Sequence, residues 1–302
     1  MTGEPVLVDC DPGHDDVMAI LAAARYADLI GITTVAGNAA LAHTTRNALV
    51  TCDLAGIDVP VHSGAAGPRS GPTRDAVHVH GAEGLDGIEI PEPRRAADGD
   101  DAVQCIVDAA RRTPGLWIVA VGPLTNIAAA LDREPDLAQR VAGISVMGGG
   151  TFGNATPAAE FNIWADPEAA DVVFRSGAPI RMCGLDLTHQ VCADAAFIAG
   201  MTALGSPLGD FVGGLLAYYA QRIVELTGED LAALHDPCAV LAVTHPELFG
   251  FGNHRVRVEL DGTYTRGMTV IDRRVAEGPV EVAWSVDAPE AIRLIAQSVS
   301  SA

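Results

Sequence analysis

Short runs of apolar, largely β-branched residues alternate along the chain with longer alanine-rich stretches of helical periodicity. Residues 5–9 form the first apolar run, and 15–26 the first helical stretch. A strand over 30–35, a helix over 41–54 and a strand over 59–62 follow. From 63 to 99 a Gly- and Pro-rich stretch carries neither period and reads as one long loop. The rhythm then resumes with helix 101–112, strand 116–121, helix 124–131, strand 143–147, a loop, helix 166–176 and strand 179–183. Such repetition predicts an α/β fold, a doubly wound and mostly parallel sheet with helices on both faces. Residues 193–245 read as mainly helical, so the C-terminal third carries extra helices. Residues 256–260, 267–271 and 280–284 read as a small antiparallel element before a C-terminal helix. No internal repeat or linker interrupts the pattern, and 1–302 is expected to be a single domain. In sheets of this kind ligands sit outside the carboxyl ends of the strands, so chemistry is sought in the residues after each strand.

Charge changes the picture of what can bind. A formal net charge of −20 repels phosphate backbones and argues against a nucleic-acid partner, whereas cations and uncharged small molecules are not repelled. All 19 basic residues are arginine. The absence of lysine excludes a P-loop lysine, a Schiff-base lysine and a lysine general base. No apolar run reaches the roughly 18 residues of a membrane span, and the N-terminus lacks the basic and apolar segments of a secretory signal. The six cysteines are scattered without a C-x-x-C pair, as buried thiols of a reducing compartment are. The expectation is a cytoplasmic protein.

Chemistry concentrates in Asp9-Cys10-Asp11-Pro12-Gly13-His14-Asp15-Asp16, with four aspartates in eight residues where a strand hands over to a helix. Asp9 and Asp11 fall on the same side of an extended chain. Asp15 and Asp16 can be explained by the helix dipole alone, worth some tenths of a kcal/mol each. Four crowded anions cannot, because they need a cation or protons to coexist. An all-oxygen donor set suits a hard ion such as Ca²⁺ or Mg²⁺. Gly148 to Gly153 satisfies G-x-G-x-x-G after a strand, but no helix follows at once and the motif reads as a decoy for a dinucleotide site. His78 and His80 lie on one side without a third metal ligand nearby, and read as part of a loop closing over the substrate.

The N-terminal V-D-C-D-P-G-H-D-D resembles the signature of the inosine–uridine nucleoside hydrolase family. Further resemblances follow in order: Thr34-Val35-Ala36-Gly37-Asn38, Gly122-Pro123-Leu124-Thr125-Asn126, Met147-Gly148-Gly149-Gly150, Ala159-Glu160-Phe161-Asn162, Asp166-Pro167-Glu168-Ala169-Ala170, Gly184-Leu185-Asp186-Leu187-Thr188-His189 and His235-Asp236-Pro237-Cys238. The resemblance implies hydrolysis of the N-glycosidic bond of free ribonucleosides through an oxocarbenium-like state. It implies Ca²⁺ held by Asp11, Asp16, Asp236 and the Val121 carbonyl, with a water and two ribose hydroxyls completing the set. Asp11 would be the general base, Asp9 would hold the water or ribose, and Asp15 would bind a ribose hydroxyl. Asn38, Asn154, Glu160 and Asn162 match positions that bond ribose hydroxyls, with Met147 beneath the sugar. His235 matches a histidine that assists the departing base, and His80 is placed near that base. Phe161, Tyr218, Tyr219, Gln221, Arg222 and Ile223 are candidates for the base pocket. The family also suggests a homodimer or homotetramer and a role in salvage. Two rival readings are a haloacid-dehalogenase-type Mg²⁺ phosphatase and a non-catalytic nucleoside- or calcium-binding protein. The phosphatase motif continues D-x-D-G-[TS], which Pro12-Gly13 interrupts.

Overall fold

In the computed structural model, which describes residues 3–228, 232–274 and 277–300, the apolar runs become strands. They are β1 Pro5–Cys10, β2 Asp28–Thr34, β3 Val61–Ser63, β4 Trp117–Ala120, β5 Gly143–Met147 and β6 Ile180–Cys183. A short pair, β7 Cys192–Ala193 and β8 Ala232–Ala233, precedes β9 Phe249–Val258, β10 Thr269–Asp272 and β11 Val280–Val286. The helices are α1 His14–Tyr26, α2 Leu41–Ala55, α3 Val77–His80, α4 Ala102–Arg112, α5 Thr125–Arg133, α6 Leu137–Arg140 and α7 Phe161–Ala165. After them come α8 Pro167–Arg175, α9 Leu185–Thr188, α10 Ala195–Thr202, α11 Pro207–Thr227, α12 Asp236–Thr244 and α13 Ala288–Ser300.

The main sheet has the order β10-β9-β11-β6-β5-β4-β1-β2-β3. From β3 to β11 all neighbours pair in parallel; β9 is antiparallel to both β11 and β10. β2 and β3 lie on one side of β1, while β4, β5 and β6 lie on the other, so the strand order reverses between β1 and β4. That boundary is where open α/β sheets take their ligands, in the crevice outside the carboxyl ends of the strands.

Alternation along β1 decides what faces what. Leu7 packs with Ile106 of α4 and Ile127 of α5, whereas Val6, Val8 and Cys10 pack with Ala19 and Ile20 of α1. Asp9 shares the parity of Leu7 and therefore points toward α5. Helix starts are set by local chemistry. Asp101 accepts the Gln104 N–H to cap α4, Asp166 accepts that of Ala169 to cap α8, and Ser206 with Pro207 opens α11.

Several details depart from the sequence reading. The 63–99 stretch holds the one-turn α3, and its Leu85 is fully buried beside Leu215 and Leu216 of α11. β3 begins at Val61, two residues beyond the expected 59. β9 begins at Phe249, well before 256, because Phe249 and Phe251 register with Val286 and Ala283 of β11; the intervening glycines hide this strand in the sequence. Since β11 is parallel to β6, the C-terminal strands extend the main sheet. Within the helical stretch 193–245, β8 is extended, and residues 229–231 lie outside the described residues. Among the described residues no helix is long and apolar enough to cross a membrane.

Candidate active site

The crevice between β1 and β4 receives the acidic cluster. Asp9 lies one residue before the end of β1, beside Ala120 in register, and Asp11 follows the last strand residue, Cys10. Asp16 folds the turn between them: its Oδ1 accepts the Asp11 N–H at 3.1 Å and its Oδ2 the Gly13 N–H at 2.9 Å. A carboxylate three residues into a helix reaching back in this way caps α1, a role that needs no ligand.

Asp11 sits where two other strands end. Its Oδ2 accepts the Asn38 N–H at 2.7 Å, after β2. A Cβ at Gly37 would lie 2.1 Å from that oxygen, and one at Gly122, after β4, 2.6 Å from Oδ1. The carboxylate is thus wedged between two backbones that approach closely because they carry no side chain. Gly37→Ala is expected to lower stability by about 1–3 kcal/mol through overpacking. Thermal melts of the purified variant check this; an unchanged Tm would mean the wedge is slack.

Asp15 Oδ2 accepts the His235 N–H at 3.1 Å, which brings α1 against the start of α12. One oxygen each from Asp15, Asp16 and Asp236 lies within 4.8 Å of the others, all three residues being buried. Burial raises the Asp236 carboxyl well above its ordinary range, and Asp15, Asp16 and Asp11 push it further. Burial, then Asp16, does the same to Asp11 and lifts Asp15 to about 7. Asp9 is also raised to about 7 by burial, against hydrogen bonds from Thr33 and Asn126.

The donor chemistry fits a hard cation. Asp9 Oδ2 and Asp11 Oδ1 are buried oxygens without a hydrogen-bond partner among the described residues, and the neighbouring donors are carboxylates. Unsatisfied buried anions of this kind are stabilised by a cation with oxygen ligands. The carboxylates whose oxygens lie within 4.8 Å of one another include Asp15, expected to meet a ribose hydroxyl.

Other expected site residues fall around the same crevice, several with structural partners. Asn38 Nδ2 donates to Asp11 O and Asp16 Oδ2, at 3.1 and 3.0 Å. Asn162 Nδ2 donates to Val121 O at 2.9 Å and Met147 O at 3.2 Å, spanning the ends of β4 and β5. The Glu160 carboxylate accepts the N–H groups of Gly149, Asn162 and Ile163. Burial lifts it to about 6 against those bonds. The glycine run therefore folds over Glu160, and since α7 opens only at Phe161, no helix presents its N-terminus as a dinucleotide motif requires. Asn154 is exposed and bonds the Phe161 N–H.

His80 was expected near the base, in a loop closing over the substrate. It ends α3, is buried, and its Nδ1 lies 3.0 Å from His14 Nδ1. The His14 ring stacks on His80, Tyr218 and Tyr219, and its Nε2 meets Asp86 O at 3.0 Å. Of the base-pocket candidates, Gln221 bonds Glu225, and Arg222 donates to His78 O at 2.6 Å. Tyr219 is core, donating to Ala233 O. Tyr218, stacked on His14, and Phe161 and Ile223 are partly buried.

Sequence reading overlooked Thr188, His189, His14 and Asn126. Thr188 Oγ1 lies 2.7 Å from His235 Nδ1 and fixes that ring, with His189 5.5 Å away between centroids. Burial, then His189, pulls His235 down to about 3. Thr188 and His189 were visible as motif residues without an assigned role.

The pattern described as "inosine-uridine preferring nucleoside hydrolase" matches residues 6–293. A pyrimidine-specific ribonucleoside hydrolase of Citrobacter koseri is 44% identical over 274 residues, covering 89% of this chain and 88% of the relative. Among solved structures, a purine-preferring ribonucleoside hydrolase of Gardnerella vaginalis superposes with a TM-score of 0.92 at 33% identity, covering 98% of both chains. A plant nucleoside hydrolase reaches 0.91 at 34% identity, covering 99% of this chain and 100% of its own.

Proposed function

The chain belongs to the inosine-uridine preferring nucleoside hydrolase family and is an N-glycosyl hydrolase of ribonucleosides; from that premise we propose that Asp11 activates water and His235 assists the departing base. The observation that carries this is the Asp11 carboxylate, wedged between Gly37 and Gly122 with Oδ1 bare, in a buried acidic cluster at the sheet's reversal point. Family membership sets aside the phosphatase reading.

Asp11, Asp15, Asp16, Asp236 and the Val121 carbonyl are the residues suited to hold Ca²⁺, which when bound would supply positive charge to orient ribose hydroxyls and make a nearby water more acidic. Asp11 Oδ1 is the base, since Oδ2 is occupied by the Asn38 N–H. Asp9 Oδ2 faces the same water or the sugar. Carboxylates on this side also favour positive charge developing on the ribosyl ring. Asn162, Glu160 and Met147 form the wall under the sugar. Thr188 engages His235 Nδ1, so Nε2 is the nitrogen that serves the leaving base. An uncharged ribonucleoside suits a protein of net charge −20. A cytoplasmic homodimer or homotetramer acting in salvage completes the reading.

His235→Ala is expected to lower kcat on nucleosides by about 10²-fold, the scale of assistance from a neutral imidazole that donates from Nε2 to the leaving base. It should spare an aryl riboside whose phenolate departs without a proton. Steady-state rates on both substrates test this; equal losses on the two would remove His235 from leaving-group chemistry.

A further inference from the structure

We propose that Asn126 is a positioning residue for the hydrolytic step: it holds Asp9 in the orientation that frees Oδ2, and ties that orientation to the seating of the 63–99 loop. The inference rests on the reading of Asp9 as a group that contacts the attacking water or the ribose.

The amide of Asn126 is committed at both ends. Its Nδ2 donates to Asp9 Oδ1 at 2.8 Å and to Thr34 O at 3.0 Å, while its Oδ1 accepts the Ala65 N–H at 2.9 Å. Those partners assign the amide uniquely, because two acceptors face one end and a donor faces the other. The side chain therefore bridges the end of β1, the end of β2 and the first residues of the loop from a single place on α5.

Asp9 is bonded asymmetrically. Thr33 Oγ1 donates to the same Oδ1 at 2.6 Å, so that oxygen receives two hydrogen bonds. Oδ2 is fully buried and has none among the described residues. A carboxylate kept only for structure would have both oxygens satisfied. One oxygen pinned by two neutral donors and the other left bare is the arrangement of an anion aimed at something it must reach.

Gly64 supplies independent support. A Cβ there would lie 2.4 Å from Asn126 Oδ1, 2.6 Å from its Nδ2 and 2.7 Å from Ala102 Cβ. The loop can close onto the amide only because residue 64 has no side chain. Asp9 orientation and loop seating are thus fixed by one group, and displacing either disturbs the other.

The test uses the calcium-loaded full chain and the nucleoside that wild type turns over fastest. Asn126→Ala is expected to lower kcat by about 10–10²-fold, the cost of a misplacement of roughly 1 Å, with KM within about threefold. Thr33→Val and Gly64→Ala, which act on the same unit from either side, should move kcat in the same direction. In an Asp9→Ala background Asn126→Ala should change kcat by no more than about twofold, because residues acting as a unit are not additive. A merely structural amide would lower Tm and leave kcat per folded molecule unchanged, or give additive losses in the two backgrounds; either result overturns the proposal. Should Asn126→Ala fail to fold, Thr33→Val and Gly64→Ala carry the same comparison. If Asp9→Ala turns over like wild type, the reading of Asp9 falls and this inference with it. If Asp9→Ala is impaired while Asn126→Ala and Thr33→Val are not, this inference alone falls.

Discussion

Asp11→Asn is expected to lower kcat/KM for ribonucleoside hydrolysis by about 10³-fold while the protein stays folded. The amide has the shape of the carboxylate, so it fits between Gly37 and Gly122, and its oxygen can still accept the Asn38 N–H. What it loses is the negative charge and the basic Oδ1. Because the native carboxylate is buried beside Asp16, neutralising it relieves repulsion, and the metal-free variant should melt no lower than metal-free wild type. Parallel kinetics and thermal melts check both halves. Near wild-type turnover would remove Asp11 from the chemistry; a collapse in Tm would make the loss structural.

Effective removal of bound divalent ions should have the second large effect. Clustered buried carboxylates repel one another, and an ion that binds only the folded chain stabilises it by about 4 kcal/mol at 1,000 times its Kd. For a chain of this size that corresponds to a fall in Tm on the order of 5–10 °C after chelation, with loss of turnover. Added Ca²⁺ should restore both, and Mg²⁺ less well, because carboxylates and carbonyls of a rigid crevice suit a larger ion with a more flexible shell. A melt and a rate indifferent to chelator would remove the metal from the account.

The parts of the fold that sequence made legible are those in which one physical signal dominates. β1 and α1 could be placed because an apolar strand runs straight into an acidic helix start, and the positions of Asp9 and Asp11 follow from strand parity. The parallel sheet followed from the alternation of strand and helix. α3 could not be seen, since four residues in a Gly- and Pro-rich stretch show no period and owe their place to tertiary contacts such as Arg222 with His78. The start of β9 was hidden because Phe-Gly-Phe-Gly has the turn residues of a loop and becomes a strand only against β11.

The site divides in the same way. Carboxylates crowded on a strand end announce themselves, because their charge demands an explanation. Amides do not: that the nitrogens of Asn38 and Asn162 hold Asp11, Asp16, Val121 and Met147 in place shows only in the fold. Asn126 lies in a helical motif, and its meeting with Asp9 depends on α5 packing over β1. His14, just before the expected helix start, carried no expected role, and its stack with His80 and two tyrosines joins segments far apart in the chain.

The central claim is that Asp11 drives hydrolysis of a ribonucleoside in this crevice. Reducing-sugar release from uridine, cytidine, inosine, adenosine and guanosine, by calcium-loaded wild type and Asp11→Asn, measures it directly. The account predicts ribose release from at least one nucleoside that falls about 10³-fold in the variant. The panel also ranks the bases, on which the named relatives divide between pyrimidine-specific and purine-preferring. Release that persists undiminished in Asp11→Asn, or no release from any nucleoside by folded wild type, would contradict it.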